Sequence, residues 1–184
     1  MSQDLANLLQ QTVATELPHL RAVTGDQASQ QPPKAGAWSK KEELGHLIDS
    51  AINNHARFVR MTLEDDYQGP SCAQDGWVAL HAYRDLPWSA LIDVWEKNNF
   101  LLTHLIAQIP ASRLSSQGVV GSNPPVTLRF LIDDYVLHMQ HHLDHVLSRE
   151  KITPYPPSAD PLKQQFSRSL FRTVTDGFTE PLLC

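Results

Sequence analysis

The sequence is poor in cysteine: 184 residues contain two, Cys72 and Cys184. Two distant thiols make no disulfide framework and show no metal-type spacing, which excludes a small crosslinked secreted scaffold and a cysteine-built zinc module. Long apolar runs are missing as well. Stretches such as Phe100-Leu101-Leu102 break within a few residues, whereas a membrane-spanning helix needs roughly 20. The opening Met1-Ser2-Gln3-Asp4 has no cationic stretch followed by an apolar one, so no secretory signal is expected and the cytoplasm is the expected compartment. There is no basic surplus either. The net charge is -5, which leaves no electrostatic footprint for nucleic acid, and the acidic residues are scattered rather than gathered into a tail. What remains, 41% apolar and 19% charged residues, is ordinary for one soluble domain with its own core.

Proline and glycine punctuation separates long stretches of helical periodicity. Leu5, Leu8, Leu9, Val13 and Leu17 predict a first helix over about Asp4 to Val23, followed by a polar loop from Gly25 to Ala37. Ser39 with Glu42 three residues on is a capping box and predicts that a second helix starts there and runs to about Leu63. A short helix is expected around Trp77 to Tyr83. A third long helix should start near Pro87 and stop at Pro110. Ser115 to Pro125 reads as a loop with a little extended structure, and a fourth helix runs from about Thr127 to Arg149. Four long helices with uneven connections predict an all-α four-helix bundle over residues 1–154. Pro154, Pro156, Pro157 and Pro161 then mark residues 155–184 as a Pro-rich C-terminal appendage.

Histidine is over-represented. Nine occur, and four of them fall between His138 and His145. His138 and His142 are four apart, as are His141 and His145, and such a pair places two imidazoles on one helix face where a single ion can meet both. At about 100° per residue, Leu128, Leu131, Ile132, Tyr135, Val136, Met139, Leu143 and Val146 form the apolar face of the fourth helix. His142 falls inside the edge of that face and His138 just beyond it. His145 lies further out, and His141 lies nearest to solvent. His138 and His142 are therefore the pair that can reach a bundle interior. A third ligand would come from the second helix, which offers two. Periodicity alone prefers His55, which lies in the middle of the helix's apolar stripe. His46 lies on a polar row with Asp49, Ser50, Asn53 and Arg57, which is either a solvated face or the wall of a wet pocket. Spacing alone leaves those two readings of the row open.

Trp38-Ser39, Gly45-His46-Leu47-Ile48-Asp49-Ser50, Asn53 and Arg57-Phe58 resemble the second helix of the DinB/YfiT-like family, and Asp134 to Val146 resembles its last bundle helix. Trp77, Leu80, Tyr83, Pro87-Trp88 and Leu91 are similar to the connecting region and third helix, so the resemblance covers about Leu5 to Arg149. It implies an up-down-down-up four-helix bundle of the DinB/YfiT type, often dimeric, with a three-histidine site for one divalent metal ion, zinc or nickel first. Carried over by position, the ligands are His46, His138 and His142, while His141 matches a neighbouring histidine that is not the usual ligand. Asp49 and Asp134, each one turn from a ligand, are candidates to orient the imidazoles. Asp49 and Tyr135 are candidates for a general base.

Three neutral imidazoles leave coordination positions open, as in catalytic rather than closed structural sites. The family resemblance implies a metal-dependent hydrolase. The alternatives are a transferase joining a low-molecular-weight thiol to an electrophile on the same site, and a non-catalytic metal-binding or stress-related accessory protein. A small-molecule substrate and a homodimer are the expected partners.

Overall fold

The computed structural model describes residues 1–155. Helix α1 (Ser2–Ala22) is followed by a short α2 (Gly25–Ser29) and by α3 (Lys40–Leu63). A strand β1 (Tyr67–Gly69), a helix α4 (Gln74–His81) and a 3-10 turn (Tyr83–Asp85) lead to α5 (Trp88–Gln108). A second 3-10 turn (Ala111–Ser115), β2 (Gln117–Val120) and β3 (Val126–Thr127) precede α6 (Leu128–Val146). The four long helices α1, α3, α5 and α6 form the bundle, with α3 packed against both α5 and α6, and α1 against α5 and α6.

Local chemistry sets the helix starts. Ser39 accepts from Glu42 N while the Glu42 side chain takes the backbone N–H of Ser39, so the expected capping box begins α3. Thr127 caps α6 through Phe130 N. The loop expected from Gly25 to Ala37 contains α2, which Thr24 and Gln27 open with a second capping box.

Leu9, Leu20, Leu44, Phe58, Met61, Trp95, Leu102, Ile106, Leu131, Met139 and Leu143 are fully buried and fill the space between the helices. Each such side chain stabilises the fold by roughly 1.5–3 kcal/mol relative to leaving it exposed. Tyr135 belongs to this core: its hydroxyl donates to Asn99 Oδ1 at 2.7 Å and its ring meets Phe58 edge-on. Its hydroxyl is thus engaged by Asn99 on α5.

The connections carry a small sheet in the order β1-β2-β3. β1 runs parallel to β2 with Tyr67 opposite Gly118, and β2 pairs antiparallel with β3. Cys72, on the loop before α4, is not a free thiol. None of the described helices is long and apolar enough to cross a membrane. Residues 156–184, nearly all of the expected appendage, lie outside the described residues.

Candidate metal centre

Helix α3 is covered on more than one side, and this decides which of its histidines is inside. The expected stripe is only partly buried: Ile52 is 48% exposed, and His55 and Val59 are half-buried. His46, Asp49, Ser50, Asn54 and Arg57 are buried instead. The polar row is thus an interior wall, and the preference of periodicity for His55 is corrected. Periodicity assumes one apolar contact face, whereas α3 has neighbours in α2, α4, α5 and α6.

His46 meets His138 and His142 of α6 across the bundle. One ligand nitrogen of each lies within 4.8 Å of the others. His46 Nε2 and His138 Nε2 are 3.1 Å apart, close to the spacing of about 3.3 Å between two nitrogens on a tetrahedral zinc ion. The ring of Trp38 stacks at a tilt on His46 with centroids 5.0 Å apart, and the ring of Tyr155 meets His138 edge-on at 5.0 Å.

Burial keeps the imidazoles of His46 and His138 neutral. Desolvation, reinforced by His142, lowers the His46 pKa to about 3. Desolvation also lowers His138 well below the usual histidine range, with His142 and His46 adding to it. A neutral imidazole is what a metal ligand must be. The Nδ1 atoms of His46 and His138 are buried and have no hydrogen-bond partner among the described residues. With His46 Nε2 and His138 Nε2 turned toward each other, at most one proton can lie between them. A cation shared by the two Nε2 atoms would take the place of that contact, each ring then carrying its proton on Nδ1. The residues present therefore fit a divalent ion.

His142 is held differently. Its Nδ1 lies 2.6 Å from Glu43 Oε2, which leaves Nε2 for an ion. Glu43 is thus the carboxylate that orients a site histidine, and sequence reading did not single it out. Its position one turn before His46, on the same helix, was the available signal. Asp49 and Asp134, the expected orienting groups, have other partners. Asp49 Oδ1 accepts from the Tyr83 hydroxyl at 2.6 Å and lies 3.1 Å from His81 Nδ1, while its Oδ2 is buried with no partner among the described residues. Asp134 Oδ2 accepts from the Tyr155 hydroxyl at 3.2 Å. Desolvation raises the Asp134 pKa to about 7 against the opposing effects of Tyr155 and Arg57.

The helical projection of α6 is also amended. His138 is more deeply buried than His142, which is half-buried. His145 is the exposed histidine. His141 is not nearest to solvent, because the segment after α6 folds back and sets the Thr153 carbonyl against its Nδ1.

Residues 8–146 match the family model described as the DinB superfamily. The chain belongs to that family. Two relatives named as putative metal-dependent hydrolases, from Oceanobacillus iheyensis and Halalkalibacterium halodurans, are each 22% identical over 113 residues, or 61% of this chain. The aligned stretch spans 65% and 66% of their respective lengths. Among solved structures, YfiT from Bacillus subtilis, described as a probable metal-dependent hydrolase with an unusual four-helix bundle topology, superposes with a TM-score of 0.71 at 20% identity. That match covers 80% of this chain and 86% of YfiT. A mycothiol-dependent maleylpyruvate isomerase superposes with a TM-score of 0.64 at 13% identity, covering 78% of this chain and 59% of the isomerase. The DinB/YfiT-type bundle expected from the sequence is therefore the fold of this chain, with the small sheet added.

Proposed function

We propose that this DinB-family protein is a metal-dependent hydrolase in which His46, His138 and His142 hold one divalent ion, zinc or nickel. The observation that carries the reading is the meeting of three imidazoles from two helices inside the bundle, two of them fully buried. The relatives named as metal-dependent hydrolases support it. An ion bound there supplies Lewis acidity toward a carbonyl or phosphoryl group of a small-molecule substrate.

The chain's own residues do the rest. Burial of His46 and His138 keeps both lone pairs available at neutral pH. Glu43 accepts from His142 Nδ1–H, which fixes the tautomer and leaves Nε2 as the donor atom. Trp38 and Tyr155 wall the site with aromatic rings and restrict water. A homodimer and a cytoplasmic setting belong to the same reading.

A second reading, a thiol transferase on the same ion, is favoured by the fold shared with the mycothiol-dependent isomerase. A thiol would bind the open position as thiolate. The third, an accessory protein without turnover, predicts ion retention alone.

The test is elemental analysis of tag-free protein purified without chelator. About one ion per chain is expected, lost in His138→Ala and in His142→Ala and kept in His141→Ala and His55→Ala. Equal loss in all four variants, or no ion after zinc and nickel are added back, would overturn the assignment. A panel of esters and of thiol-electrophile pairs, assayed with the ion found, then separates the three readings.

A further inference from the structure

The inner triad poses a problem of access. His46 and His138 are 0% and 2% exposed, so an ion reaching them must shed its water in the interior. A hydrated divalent cation gives up water readily only where a protein ligand replaces each molecule lost.

A second ligand group lies between solvent and the triad. Glu43, His142 and His145 each offer a donor atom, and the three donors lie within 4.8 Å of one another. The two oxygens of Glu43 face different histidines: Oε2 is 2.6 Å from His142 Nδ1, and Oε1 is 3.8 Å from His145 Nδ1. The side chain of His145 is 40% exposed, and those of His142 and Glu43 are 15% exposed. Exposure thus falls in steps from His145 through His142 to His138 and His46.

We propose that Glu43, His142 and His145 form an outer, transient divalent-metal site that loads the buried triad, with His142 shared between the two. The inference rests on the triad being the resting site. In the outer position the ion would meet His142 through Nδ1, beside Glu43 and His145. In the inner position it would meet Nε2, with Nδ1–H donating a hydrogen bond to Glu43, and the ring's proton would change nitrogens through water. A carboxylate with two imidazoles suits the same borderline metals as three imidazoles. Lys40 keeps the outer site the weaker of the two. Its ammonium is bound to the Val146 carbonyl and to Ser148 at the end of α6, close enough to Glu43 for the two charges to interact.

Cobalt(II) is the probe, because its visible absorption reports ligand type while its growth reports loading rate. Full-length apoprotein is mixed with Co2+ in a stopped-flow instrument and titrated at equilibrium, as wild type, His145→Ala, His138→Ala and the double variant. His145→Ala should keep the tightly held ion and its spectrum but load at least tenfold more slowly. His138→Ala should lose the tight site and retain a weaker one, which the double variant loses. His145 is exposed and buries no core surface, so its loss leaves folding intact. A wild type that takes up cobalt while His145→Ala loads at the same rate would overturn the relay alone. So would a His138→Ala protein that binds no more cobalt than the double variant. A wild type with no tight site would overturn both the relay and the triad.

Discussion

Gly45 lies under the ring of Tyr83 so closely that a Cβ there would fall 2.1 Å from Tyr83 Cδ2. The absence of a side chain at Gly45 lets Tyr83 reach Asp49, one turn further along α3, with its hydroxyl. Gly45→Ala must push the ring outward and break the bond to Asp49, leaving a buried carboxylate with one partner fewer. The expected cost is about 1–3 kcal/mol, read as a lower urea midpoint with unchanged m-value. In the Tyr83→Ala background the same substitution should cost much less. Equal costs in both backgrounds would show that the ring is not what the methyl group meets.

The start of α3 positions both Glu43 and His46. Ser39→Ala removes the cap that accepts from Glu42 N, and about 1 kcal/mol of stability should go with it. Fraying of the first turn loosens Glu43, so zinc affinity should also fall, measured by competition with a chromophoric chelator. Stability lost with affinity unchanged would separate the cap from the site.

Asp134 sets a pH dependence of unusual direction. Its carboxyl has a pKa of about 7 in the folded protein, against an ordinary 3.8 in the unfolded chain. Below about pH 3 it is protonated in both states and contributes nothing to the balance. Between that point and pH 7 the unfolded chain ionises while the folded one resists, so stability drains away as pH rises. Asp134→Asn cannot ionise and should match wild type at pH 3. At pH 8 it should be more stable by as much as about 4 kcal/mol. Urea melts across this range check it, and a constant difference at all pH values would contradict it.

His55 is half-buried and takes no part in the triad. His55→Ala should therefore change the thermal midpoint little, with a stability difference within about 0.5 kcal/mol. The stoichiometry of bound ion should not change. Loss of the ion in this variant, with retention in His46→Ala, would reverse the choice between the two histidines.

Helix identity was legible wherever a local signal existed, as at the Ser39 capping box, the stop at Pro110 and the apolar face of α6. The same kind of signal at Thr24 and Gln27 went unread because the helix it opens, α2, is too short to show a period. The strands β1 and β2 are three and four residues long, too short for alternation to register, and their pairing is settled by tertiary contact. On α3 the polar row is buried because it faces other polar groups, and one-face periodicity cannot express that. The choice of His46 over His55 came from family resemblance. Glu43 was missed because its partner, His142, is 99 residues away.

His46 and His138 are 92 residues apart. An ion gripping both acts as a removable staple between the two halves of the chain. For a disulfide closing a loop of similar size, the lost freedom of the unfolded chain amounts to about 4–5 kcal/mol. With the staple in place the unfolded chain carries a closed ring made of the β1, α4, α5, β2 and β3 segments, while the α1 segment is an arm outside it. Chelation opens the ring but changes nothing in the arm's own covalent freedom. Adding or removing the ion should thus alter unfolding most within the ring, giving one chain two levels of constraint set by a single atom.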